Sequence, residues 1–247
     1  MIYYFMSCVK IGCSGFLYDH WKGTFYLHEL SKRQWMEHYC KKFQTVELNV
    51  TFYRLPEKET FSRWYSESPA NFVFSLKGSR FITHVKKLKS PVEPLDVFFS
   101  RANALREKLG VILWQFPPDF KADPEKLKEF LEALSQYKVR NTFEFRDKSW
   151  INKKIVSLLE KNNMGMCMAD WPEFLCDLPV TSDFVYMRRH GVDGKYISCY
   201  NTEQLKTDAK FINRFLKQGK DVFIYFNNDA HGHAPKNAKE LRDILKK

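Results

Sequence analysis

The feature that most constrains this chain is a rhythm. A short β-rich run followed by an amphipathic helical pattern recurs along all 247 residues. Alternation of that kind leads to a parallel sheet covered by helices. Strand patterns fall at 9–13, 45–48, 72–76, 111–114, 142–145, 165–169, 184–187 and 221–226. Helix start signals lie between them. Ser31 precedes the helical run of Trp35, Tyr39 and Phe43, and Pro94 sits near the first turn of a run reaching Lys108. Asp123 is a cap residue followed by Pro124, and Asn201 with Thr202 opens the run of Leu205, Phe211, Ile212 and Phe215. Gly110, Gly165 and Gly219 mark returns from helix to strand.

Eight such units in one chain predict an α/β fold, a single (β/α)8 TIM-type barrel forming one domain over residues 1–247. The stretch between strands six and seven carries Pro172 and Pro179 and is too short for a full crossover, so a reduced or missing helix is expected there. A doubly wound open sheet is the alternative. It usually shows a glycine-rich first turn, and GCSGF is not G-x-G-x-x-G.

Composition narrows the setting. With 44% hydrophobic residues and 40 aromatic ones, the chain has ample material for a core. No run approaches the roughly 18–20 apolar residues of a membrane span. The opening MIYYFMSCVK lacks the basic leader and cleavage site of a signal peptide. Cys8, Cys13, Cys40, Cys167, Cys176 and Cys199 form no C-x-x-C pair and read as reduced thiols. A cytoplasmic protein with no membrane partner is expected. The net charge of +11 favours polyanionic or phosphorylated partners.

In a barrel of this kind chemistry belongs at the C-terminal strand ends. They read GCSGF, ELNVTFY, LKGSRFITH, WQFPP, EFRDKSW, ADWP, RRHG and FNNDAHGH. Side chains alternate along a strand, so the parity of the apolar residues selects those that point inward. It selects Glu47, Asn49, Ser75, Lys77, Gln115, Thr142, Glu144, Arg146, Asp170, Tyr186, Arg188, His190 and Asn227. Three cations and three carboxylates would then meet, either as a balanced polar network or as a site for an anionic ligand. Tyr18, Trp21, Phe52, Tyr53, Phe116, Trp150, Trp171, Tyr196 and Tyr200 lie in or beside these loops, with Arg80, His84, Lys86, Lys87, Lys89 and Arg189. Rings interleaved with cations suit stacking beside a phosphate.

Metal-assisted hydrolysis would draw on Glu47, Glu144, Asp170, His190, His231 and His233, but H-E-x-x-H is absent and the intervening positions are cationic. No metal ligand and no cofactor is therefore predicted, and a divalent metal has no support. A carboxylate pair, Glu47 with Glu144 or Asp170, could serve a glycosidic bond. Phosphate recognition by Lys77, Arg146 and Arg188 fits the charge best.

The same motifs resemble those of the YecE-like proteins, a widespread barrel family catalogued as a domain of unknown function. The resemblance spans almost the whole chain. It is carried by IGCSGFLYDHWKGTFY, FQTVELNVTFYRLP, FSLKGSRFITH, LGVILWQFPPDF, FEFRDKSW, YMRRHG and YFNNDAHGHAPKNA. Cys13 stands where that family commonly has Thr, and Phe16 where it has Trp. The resemblance implies a TIM-type barrel and points to Glu47, Asn49, Tyr53, Lys77, His84, Gln115, Glu144, Arg146, Trp150, Asp170, Arg188, His190 and Asn227. It implies no settled catalytic role for any of them.

The leading expectation is a barrel that binds a phosphate-bearing ligand, nucleic acid or nucleotide, at its C-terminal mouth. It extends to phosphodiester hydrolysis, with Glu144 or Asp170 as base and His190 as acid. Arg188→Ala is expected to weaken binding and leave the fold intact. One alternative is a non-enzymatic nucleic-acid-binding or scaffold protein using the basic rim. Another is a carbohydrate-active barrel with a carboxylate pair.

Overall fold

The computed structural model describes residues 7–170, 178–192 and 194–246. Trp171, Pro172 and Cys176 fall outside them. Eight strands are present: β1 Val9–Ser14, β2 Thr45–Leu48, β3 Val73–Lys77, β4 Leu109–Gln115, β5 Arg140–Glu144, β6 Gly165–Ala169, β7 Phe184–Arg189 and β8 Asp221–Phe226. The helices are α1 Trp35–Cys40, α2 Val50–Tyr53, α3 Lys58–Glu67, α4 Val92–Ala102, α5 Pro124–Leu134, α6 Lys153–Lys161, α7 Thr202–Lys217 and α8 His233–Leu245. Hydrogen-bonded neighbours run in sequence order and the sheet closes, which is the expected (β/α)8 barrel. Residue 170 and residues 178–183, the described parts of the β6–β7 connection, form no helix.

The chain divides into two compact units. One takes Met1–Val46, Met168–Leu178 and Asp183–Lys247. In it β8 pairs in parallel with both β1 and β7. Thr45 Oγ1 and Tyr225 Oη share a buried hydrogen bond of 2.6 Å, and the Tyr186 ring lies 5.2 Å from that of Tyr225. Gly12 is required at its place: a Cβ there would stand 2.3 Å from the carbonyl oxygen of Thr45. Among the described residues no cysteine is joined in a disulfide.

The other unit takes Glu47–Cys167 and Pro179–Ser182, and its β3, β4 and β5 pair in parallel. Its aromatic residues settle the parity. Phe74 stacks on Trp64 of α3, while Trp114 meets Phe98 of α4 at 5.6 Å and Phe130 of α5 at 5.1 Å. Phe143 also faces Phe130. These rings turn toward the helices, so Lys77, Gln115 and Glu144 take the opposite face, as their alternation requires. Each fully buried ring contributes about 1.5–3 kcal/mol through lost apolar hydration.

Three local expectations are corrected. Ser31 does not open one helix through Phe43. It caps a tight turn, Lys32–Gln34, and α1 then ends at Cys40. The helix at Pro94 ends at Ala102 instead of reaching Lys108, and the tighter turns that follow break at Arg106, where φ is +50°. Gly110 lies inside β4, where a Cβ would come within 2.4 Å of Val73 Cγ1. Asp123 and Asn201 do cap their helices, accepting from the backbone N–H groups of Lys126 and Gln204.

Candidate functional site

The polar strand ends form two clusters, one in each unit. In the second unit Lys77 ends β3, is buried, and holds its Nζ 4.0 Å above the centre of the Phe52 ring. The short helix α2 that carries Phe52 is anchored by Thr51, whose hydroxyl lies 2.6 Å from the Lys77 carbonyl. Gly78 follows because the indole of Trp114 leaves no room: a Cβ would sit 2.2 Å from its ring. The chain then makes a wide π-type turn, Phe81–Val85, closed by the Lys86 N–H on the Phe81 carbonyl. Such turns are uncommon and cluster at functional places.

That turn presents His84. Its Nδ1 lies 2.8 Å from Thr83 Oγ1, and its ring meets Phe52 edge-on at 5.0 Å. Burial lowers its pKa first, and the charges of Lys77, Arg80 and Arg146 lower it further, to about 4; only Asp119 opposes them. His84 is therefore neutral near pH 7, among cations. On β5, Glu144 Oε1 accepts from Gln115 Nε2 at 2.8 Å and from Arg146 Nε at 2.8 Å. Arg146 is thereby held in place by a buried carboxylate, in a charge-assisted pairing. Glu47 is buried on β2, and Asn49 stands at the start of α2.

The first unit builds a different cluster. His190 donates its backbone N–H to Asp170 Oδ1, and its Nδ1 lies 3.1 Å from the same oxygen. Arg188 Nη1 lies 2.9 Å from His190 Nε2. Arginine only donates, so Nε2 accepts and the ring proton sits on Nδ1, facing Asp170. The Tyr200 hydroxyl donates to Asp170 Oδ2, and Arg188 Nη2 lies 3.3 Å from Ser14 Oγ. Burial pushes the Asp170 carboxyl up, but His190, Arg189 and Tyr200 together leave it below the ordinary value. Burial and the charge of Asp170 push the Tyr200 phenol well up.

Several expectations change on this geometry. His190 is fully buried with its proton toward Asp170, so the role of acid is not kept; the ring orients Arg188 instead. Arg189 is not a rim cation. It turns outward to α7 and pairs with Asp208, Nε to Oδ2 at 2.8 Å, both buried. Trp150, expected to touch a ligand, is fully buried, stacks on Phe145 at 5.1 Å and donates its indole N–H to the Phe120 carbonyl. Its faces are occupied by the protein. Asn227 donates its backbone N–H to the Arg189 carbonyl.

Asp229 was not among the expected site residues. It follows β8, its carbonyl accepts from the Trp21 indole, and its carboxylate lies 3.6 Å from His20 Nε2. Burial raises its pKa. The available signal was its place in the FNNDAHGH strand end, one step beyond the residues that parity selects. Among the described residues, no group of three or more His, Cys, Asp or Glu is placed to hold a metal ion. No described helix is long and apolar enough to cross a membrane.

A family model described as "Protein of unknown function DUF72" matches residues 10–247. The chain belongs to the DUF72 family. Among family relatives it is similar to UPF0759 protein YunF of Bacillus subtilis, 25% identical over 96% of this chain and 94% of that one. It is also similar to UPF0759 protein YecE of Escherichia coli K12, 30% identical over 40% of this chain and 37% of that one. A crystal structure of a DUF72 family protein from Thermotoga maritima superposes with a TM-score of 0.85 at 30% identity, covering 97% and 100% of the two chains. The DUF72 likeness thus runs through both units and every strand end described above.

Proposed function

We propose that this DUF72 protein binds a phosphate-bearing ligand, of nucleic-acid or nucleotide class, at the ends of β3 and β5. Lys77 supplies a point charge and Arg146 a planar fork suited to paired phosphate oxygens. Arg80 adds charge from the loop, and neutral His84 can donate or accept one hydrogen bond. The observation that carries the reading is geometric: the Lys77 ammonium lies 4.0 Å above the Phe52 ring, Arg146 is fixed by Glu144, and His84, its pKa lowered by burial first and by these charges after it, stands edge-on to the same ring.

Burial supports the same reading. Lys77 is only 7% exposed, with its ammonium laid on a ring face, an arrangement that pre-orients the charge before any ligand arrives. Glu144 does the same for Arg146. Because Glu144 Oε1 is committed to Arg146 and Gln115, the reading is one of binding, and Glu144 acts as an orienting group.

Thermal unfolding with and without sodium tripolyphosphate tests it, since a ligand of the native state raises the melting temperature by mass action. The wild-type protein should show a concentration-dependent rise. Lys77→Gln and Arg146→Gln should each weaken the apparent affinity by tenfold or more. Equal shifts in all three proteins would remove both residues from the site.

A further inference from the structure

Of the nine aromatic residues expected around the strand ends, packing withdraws most. Trp21, Phe116 and Trp150 are fully buried, and Phe52 and Tyr200 nearly so. Among the eight that the structure describes, Tyr18 and Tyr196 are partly exposed and Tyr53 is the most open, with 76% of its surface exposed. It ends α2, and its ring stands edge-on to Phe52 at a centroid distance of 5.0 Å. The Phe52 ring in turn carries the Lys77 ammonium on its face. One side chain therefore separates an exposed ring from the cation at the centre of the proposed phosphate site. Val50, Phe81 and Val85, on α2 and the wide turn, are each 45–60% exposed. Water-facing apolar groups beside a cationic site are what a ligand with both a charge and a flat apolar face would cover.

Building on the phosphate reading above, we infer that the ligand is a single-stranded nucleic acid, with one unstacked base lying on Tyr53 while Lys77 and Arg146 hold an adjacent phosphate. The chemistry selects this class. An inorganic phosphate or a sugar phosphate leaves the Tyr53 ring without a use. A duplex keeps its base faces covered by its own stacking and offers only backbone. A single strand offers both groups at once, and a base stacked on an aromatic side chain is held without regard to its identity.

Fluorescence anisotropy with a fluorescein-labelled deoxythymidine 12-mer, and with the same strand annealed to its complement, tests the inference. The single strand should bind at least tenfold more tightly than the duplex. Tyr53→Ala should weaken single-strand binding by roughly tenfold, the range of one lost base stack, and Tyr53→Trp should restore it. Tyr53 is exposed, so circular dichroism melting should show both variants folded. Tripolyphosphate separates the two readings: its affinity should be unchanged by Tyr53→Ala and reduced by Lys77→Gln. Equal affinity for strand and duplex, or an unchanged 12-mer affinity in Tyr53→Ala, overturns the base-stacking inference. So does the absence of 12-mer binding, even where tripolyphosphate binds and the phosphate reading stands.

Discussion

At the scale of single residues, the informative group is His84. Its folded pKa, about 4, lies below the ordinary value of 6.5. Between those values the unfolded chain holds more protons at this position than the folded one. His84 therefore favours folding above pH 6.5, and that contribution is lost as pH falls toward 4. Two-dimensional NMR of the ring should find a midpoint near pH 4, and Lys77→Gln should move it upward by removing a neighbouring charge. A midpoint unaffected by Lys77→Gln would separate the two residues. Arg188 behaves differently from its expected role. It is 1% exposed and donates to His190 Nε2, so Arg188→Ala should leave a buried acceptor without its partner and cost on the order of 1–3 kcal/mol in urea unfolding. The inward parity of Lys77, Glu144 and Arg188 was readable from alternation alone. The tautomer of His190 was not, because it depends on a hydrogen bond from Arg188 near the end of β7 and on an acid twenty residues away.

At the scale of elements, the strands were more legible than the helices. β2, β6 and β8 fall where the β-rich runs end, because apolar β-branched and aromatic stretches stop at polar punctuation. Helix limits depended on single conformations that composition hides, such as the positive φ of Arg106 after α4. The same holds for the outward partner of β7. Arg188 and Arg189 look alike in sequence, yet adjacent positions on a strand face opposite ways, and Arg189 meets Asp208 on α7. Asp208→Ala should cost about 3–5 kcal/mol in urea unfolding, since it strands a buried guanidinium, and a loss below 1 kcal/mol would show that α7 does not depend on the pair. Gly78 is a second joint. Gly78→Ala should displace either the Trp114 indole or the start of the loop carrying Arg80 and His84, weakening tripolyphosphate binding while the near-ultraviolet circular dichroism of the tryptophans changes.

At the scale of the whole molecule, the eightfold rhythm was enough to predict the closed barrel, since each unit repeats the same local choice and short connections allow few other arrangements. Charge was less specific. A net charge of +11 is compatible with diffuse attraction of any polyanion, whereas the proposed site uses Lys77 and Arg146 at defined places. The two differ in salt dependence. With the one phosphate held by Lys77 and Arg146 neutralised, the logarithm of 12-mer affinity should fall with the logarithm of salt concentration at a slope of about −0.7. A slope several times steeper would mean that the many surface lysines carry the binding. The wide turn at Phe81–Val85 adds an arithmetic of chain length. It closes five residues on where an ordinary helical turn closes four, so it stores one residue beyond the usual count. Deleting a single residue there would let the turn tighten with both ends in place, while the side chains inside the turn that follow the deletion shift by about 100° around its axis. Loop libraries that vary residue identity at these positions should therefore keep the cationic neighbourhood of Lys77, and libraries that vary length by one should scramble it.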